Sequence, residues 1–105
     1  MTLVCGAGAF GTALAVTLSQ DGPVTLWARD AGHAEDMRAR RENARRLPGI
    51  DLPGAVTVIS GAIPPGDTPC LLAMPTQTLG PFLEMHRAAL DRRPLVACCK
   101  GMDLA

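Results

Sequence analysis

Three glycines in the stretch VCGAGAFGTALA, Gly6, Gly8 and Gly11, stand at GxGxxG spacing. Glycine weakens strands and helices, so three of them between an apolar strand and a helix ask for a reason. The pattern supplies one. Gly6 permits a tight turn out of the strand. Gly8, with no Cβ, lets a pyrophosphate approach the backbone. Gly11 lets the helix lie close to the sheet. The free N–H groups of the first helical turn then face an anion, and the helix dipole adds about 0.3–1 kcal/mol. No Gly-Lys-Ser/Thr follows, which excludes a P-loop.

Three further groups could do chemistry. In VTLWARD, Ala28 stands where a dinucleotide site usually has its ribose-binding acid, and Arg29 follows. A guanidinium there can grip a 2′-phosphate or stack on adenine, which favours NADP. A register slip of two residues would put Asp30 in that role and favour NAD; its other role is to cap a helix. Met74-Pro75-Thr76-Gln77 would lie near a nicotinamide, with Pro75 stiffening the turn and Thr76 able to cap the helix. Lys100, the single lysine, precedes Gly101 and suits a phosphate or a developing alkoxide.

The elements that must position these residues follow from periodicity. Strands are predicted over 2–5, 24–27, 56–59, 70–74 and 95–98. Helices are predicted over 10–19, from 30 to about 46, and over 76–92, with Ala13, Leu14 and Leu18 of the first facing a sheet. Two Pro-Gly pairs in LPGIDLPGA, residues 47–55, are read as a break. Strands alternating with helices imply α/β architecture. The expected fold is a Rossmann-type, doubly wound parallel sheet of order 3-2-1-4-5. The loops at the carboxyl ends of its strands, from Gly6, Ala28, Met74 and Cys99, would then meet at one edge.

Composition narrows the function. The 105 residues are 48% apolar and 19% charged, a globular balance. Ten basic side chains offset ten acidic ones, giving no general attraction to nucleic acid or anionic lipid. The run Arg38, Arg40, Arg41, Arg45 and Arg46 is interspersed with Glu35, Asp36 and Glu42 and reads as a solvated helix face. No apolar run reaches the roughly 20 residues of a membrane span, and no secretory leader is recognisable. Cys5, Cys70, Cys98 and Cys99 form no CxxC pair and read as buried hydrophobes, with no metal expected. His33 and His86 read as exposed helix residues. Trp27 reads as core at a strand end, or as a neighbour of the adenine.

Taken together, GAGAFGTALA, LWARD, NARRLPGIDLP, AMPTQ and CKG resemble, in order and spacing, the bacterial NAD(P)-dependent glycerol-3-phosphate dehydrogenases. The resemblance covers essentially the whole chain. It implies a cytoplasmic oxidoreductase interconverting glycerol 3-phosphate and dihydroxyacetone phosphate for phospholipid synthesis, with a homodimer open for the full-length protein. It implies that Phe10, and Ala9 through its backbone, contact the cofactor. Arg29 would lie beside the adenosine ribose, and Lys100 would touch cofactor and substrate. The proton-accepting lysine of that family lies in a later helical domain. Residues 1–105 would thus be an incomplete cofactor-binding domain with no catalytic residue of its own, its ending read as a cut. Two alternatives stay open: another two-domain NADP dehydrogenase such as a ketopantoate reductase, and a free-standing dinucleotide-binding module.

Overall fold

In the computed structural model, which describes residues 2–91 and 93–98, β1 (Thr2–Cys5) leads into α1 (Ala9–Leu18). Then come β2 (Val24–Trp27), α2 (Ala31–Arg40), β3 (Glu42–Asn43), β4 (Leu47–Asp51) and β5 (Val56–Ile59). The described chain closes with β6 (Cys70–Leu72), α3 (Thr76–Met85), α4 (Arg87–Leu90) and β7 (Leu95–Ala97). Five strands form one sheet in the order β5-β2-β1-β6-β7, and all its pairings are parallel. This is the expected 3-2-1-4-5 order, with a small antiparallel hairpin, β3–β4, inserted between α2 and β5.

Alternation along the strands sends apolar side chains to both faces of the sheet, as a parallel sheet requires. Val4, Val24, Leu26, Val56 and Val58 pack on one face with Ala15 of α1 and Ala34 and Met37 of α2. Leu3, Cys5, Trp27, Cys70 and Leu72 pack on the other with Phe82 of α3 and Leu90 of α4. Cys5 and Cys70 are fully buried, their sulfurs 3.4 Å apart. The hydrogen bond to Cys70, then burial, pushes the Cys5 thiol up, so it stays protonated and packs as a small hydrophobe. Cys98 is half-buried, and Cys99 lies outside the described residues.

Several sequence expectations need correction. The second helix stops at Arg40, not near Arg46, because Arg41 turns into the left-handed region at φ 53°. Its guanidinium donates to the carbonyls of Pro53 and Val56 at 2.7 and 2.8 Å, which ties the helix end to the start of β5 and the residues just before it. Arg38 likewise donates to the Val58 carbonyl at 3.0 Å, so the basic run is partly structural and not simply a solvated face. Residues 47–51 form β4, whose Pro48 is tolerated because the strand belongs to a two-stranded ribbon and needs few ladder bonds. The third helix is interrupted at His86, whose ring is half-buried and lies 5.4 Å from Trp27 and 4.7 Å from Phe82. On α1 the fully buried residues are Gly11, Thr12 and Ala15; Leu14 and Leu18 pack against the sheet as expected, whereas Ala13 is exposed. His33 is buried as well, and Trp27 is core, its indole N–H donating to the Gly61 carbonyl at 2.9 Å.

Candidate functional site

The chain reverses its direction of winding at β1, which has β2 on one side and β6 on the other. In an open parallel sheet the crevice beyond the carboxyl ends at such a point is where ligands bind. The glycine turn after β1 and the loop after β6 both open there. They are joined by a hydrogen bond from the Ala73 N–H to the Cys5 carbonyl at 2.8 Å.

Each glycine of the turn has a separate physical reason. Gly6 sits at φ +120°, and a Cβ built there would overlap the Ala73 carbonyl oxygen. Gly11 lies in the first turn of α1, and a Cβ there would overlap the Gly6 carbonyl oxygen and press on the Ala73 side chain at 3.3 Å. These two glycines serve the protein's own packing, since they let helix, turn and neighbouring loop close on one another. Gly8 differs. Its backbone is extended at φ −78° and ψ −173°, and a Cβ would meet nothing within 4 Å. Neither strain nor crowding asks for glycine at that position, so the residue leaves open space over the start of α1. The helix has no side-chain cap on its first amides and no acidic residue in its first turn. That is the arrangement an anion completes.

The other sequence-predicted residues fall around this corner. Ala9 and Phe10 are the first two residues of α1, and the Phe10 ring is 43% exposed although it is large and apolar. Pro75 is exposed and occupies the N-cap position of α3, so Thr76 begins the helix and is not its cap. Ala28 is fully buried at the end of β2, and its N–H donates to the Ile59 carbonyl at 2.8 Å. Arg29 follows it and is exposed. The structure therefore brings Gly6, Gly8, Ala9, Phe10, Gly11, Arg29 and Pro75 to the carboxyl edge of one sheet. Lys100 lies outside the described residues.

Asp30 is the cap of α2. One carboxylate oxygen accepts from the Gly32 N–H at 3.0 Å, and the other accepts from Arg45 at 3.2 Å. The Gly32 N–H first, and Arg45 after it, hold this carboxyl below the usual range. Each oxygen thus accepts one hydrogen bond from the protein, and the carboxylate stays exposed at the start of α2.

One buried residue escaped the sequence reading. Asn43 of β3 is fully buried, and its side chain joins the hairpin to the glycine turn. Its Nδ2 donates to the Ala7 carbonyl at 2.9 Å and to Thr12 Oγ1 at 2.7 Å. Its Oδ1 lies 2.8 Å from His33 Nε2 and accepts from the Arg46 N–H at 3.2 Å. The only available signal was NARRLPG as a segment, in which a buried asparagine has no periodicity of its own.

Among the described residues no three His, Cys, Asp or Glu side chains gather as a metal site would require, and no helix is long and apolar enough to cross a membrane.

Comparison with known proteins places this geometry. Residues 2–105 match the family model described as the NAD-dependent glycerol-3-phosphate dehydrogenase N-terminus. Glycerol-3-phosphate dehydrogenase [NAD(P)+] of Ruegeria sp. is 52% identical over 108 residues, an alignment covering 96% of this chain and 32% of that protein. Its counterpart from Paracoccus denitrificans is 52% identical over 102 residues, covering 97% and 31%. The crystal structure of a glycerol-3-phosphate dehydrogenase from Coxiella burnetii superposes with a TM-score of 0.81 over 91% of this chain and 31% of that one, at 23% identity, and shows the same fold. The chain spans about a third of the length of the curated relatives it matches. With the strand order, the glycine turn and the match over residues 2–105 agreeing, the chain belongs to the family of the NAD-dependent glycerol-3-phosphate dehydrogenase N-terminus.

Proposed function

We propose that residues 1–105 are the cofactor-binding part of an NAD(P)-dependent oxidoreductase that interconverts sn-glycerol 3-phosphate and dihydroxyacetone phosphate. The observation that carries this reading is Gly8: an unstrained glycine with nothing around its missing Cβ, over an uncapped helix start. The cradle fits a dinucleotide diphosphate. The N–H groups of Ala9, Phe10 and Gly11 would hold its oxygens, and the exposed Phe10 ring and Pro75 would border the nicotinamide half. Bound there, the nicotinamide supplies hydride chemistry; the protein's part is to bind, orient and exclude water. Lys100 is proposed to contact cofactor and substrate. Proton transfer is assigned to residues outside positions 1–105. The proposed setting is the cytoplasm, and the proposed role is supply of the glycerophospholipid backbone.

NADP is the proposed preference. Ala28 offers no carboxylate at the ribose position, and Asp30 already accepts from Gly32 and Arg45. Arg29, exposed at the end of β2, is left to meet a 2′-phosphate. A charge-assisted hydrogen bond of that kind is worth about 1.5–3 kcal/mol. Arg29→Ala is therefore expected to weaken NADPH binding by about tenfold or more while NADH binding changes little. Fluorescence titration of both cofactors reads this directly. Unchanged NADPH affinity with reduced NADH affinity would overturn the assignment.

A further inference from the structure

Resting on the reading of the glycine turn as a diphosphate cradle, we infer that Asn43, oriented by His33, is a positioning residue for cofactor binding. The turn must present three backbone amides in a fixed direction, yet Gly8 has no side chain to brace it and no side chain caps the start of α1. A site held in its binding geometry before the ligand arrives binds more tightly than one that must be ordered. Something outside the turn has to hold it.

Asn43 grips the turn on both sides of the proposed phosphate position. Ala7, whose carbonyl accepts from Nδ2, lies between Gly6 and Gly8. Thr12, whose hydroxyl oxygen accepts from the same nitrogen, directly follows Gly11. The segment 8–11 is thus bracketed by two bonds to one amide group. The chemistry of the partners fixes which way that amide faces. A backbone carbonyl can only accept, so the nitrogen must face Ala7. The oxygen must then face His33, and His33 Nε2 must carry a hydrogen to donate to it.

His33 therefore acts through Asn43. Its ring lies on the buried face of α2, the helix that begins directly after Arg29 and Asp30. One chain of contacts runs from α2 through His33 and Asn43 to Ala7 and Thr12. The hairpin β3–β4 has a purpose in this picture: it carries Asn43 back from the end of α2 to the turn after β1. The Ala7 carbonyl is part-buried, so loss of the Asn43 amide leaves it without its donor and frees the Ala7 peptide to rotate toward water.

The test uses NADPH and three variants, with amide shifts followed by ¹H–¹⁵N NMR and folding followed by thermal melting. Asn43→Ser and His33→Ala are each expected to weaken NADPH binding by about tenfold. His33→Gln, whose side-chain amide can donate where Nε2 does, is expected to recover affinity to within about threefold of the parent. A purely structural role would lower the melting temperature of both His33 variants and leave the affinity of the folded protein unchanged; that result overturns the inference. Should Asn43→Ser not fold, the alanine–glutamine pair at His33 decides. If NADPH fails to move the amides of Ala9, Phe10 and Gly11 in the parent chain, the cradle reading itself is wrong. If those amides move and the His33 variants still bind as the parent does, only the positioning role falls.

Discussion

Gly11→Ala is expected to lower the melting temperature by more than about 10 °C. The Cβ it introduces has no room, because it would overlap a backbone carbonyl, that of Gly6, and press on Ala73. Overpacking costs about 1–3 kcal/mol even where flexible side chains can yield. Here the obstacle is main chain held at both ends: Gly6 donates to the Trp27 carbonyl at 2.9 Å, and Ala73 donates to that of Cys5. A cost of at least about 3 kcal/mol follows, a large share of the stability of a domain this size. Calorimetric or circular-dichroism melting measures it. A shift of only a degree or two would mean that α1 does not lie against the turn as described.

The opposite outcome is expected three residues earlier. Gly8→Val should fold nearly as well as the parent, because the position is extended and open. Exchange of a helix N-cap glycine for a poor capping residue costs about 0.5–1.5 kcal/mol. The isopropyl group would nevertheless stand where a diphosphate must lie. NADPH affinity is expected to fall about a hundredfold or more, corresponding to about 2.7 kcal/mol. The pairing of the two variants separates the reasons for glycine: one position serves the fold, the other the ligand. A Gly8→Val chain that binds NADPH as tightly as the parent would remove the phosphate from that corner.

The fold was legible because its signals are local. The apolar runs around Val4, Leu26, Val58 and Leu72 are short, and helical patterns separate the first three, so strand order followed from right-handed crossovers. GxGxxG was legible because each glycine answers a separate geometric need at fixed spacing. What stayed hidden was tertiary. Arg41 ends α2 in a left-handed conformation that favours glycine, and only its bonds to Pro53 and Val56 make that tolerable. Pro48 and Gly49 look like breakers and are so in most strands, yet β4 is a ribbon strand that accommodates them. His33 and His86 sit among polar residues in the sequence, and their burial depends on partners 10 residues away in one case and on the Trp27 and Phe82 rings in the other. Asn43 has no apolar periodicity to betray it. A buried polar residue is read from the groups it satisfies, and those come together only in the fold.

The division of labour among the three glycines leads to one experiment. A crystal of this chain grown with NADPH should show diphosphate oxygens within hydrogen-bond distance of the Ala9 and Phe10 nitrogens, in van der Waals contact with Gly8. A dinucleotide bound elsewhere, or the Phe10 ring folded over Gly8 with the first amides of α1 turned to water, would contradict the account.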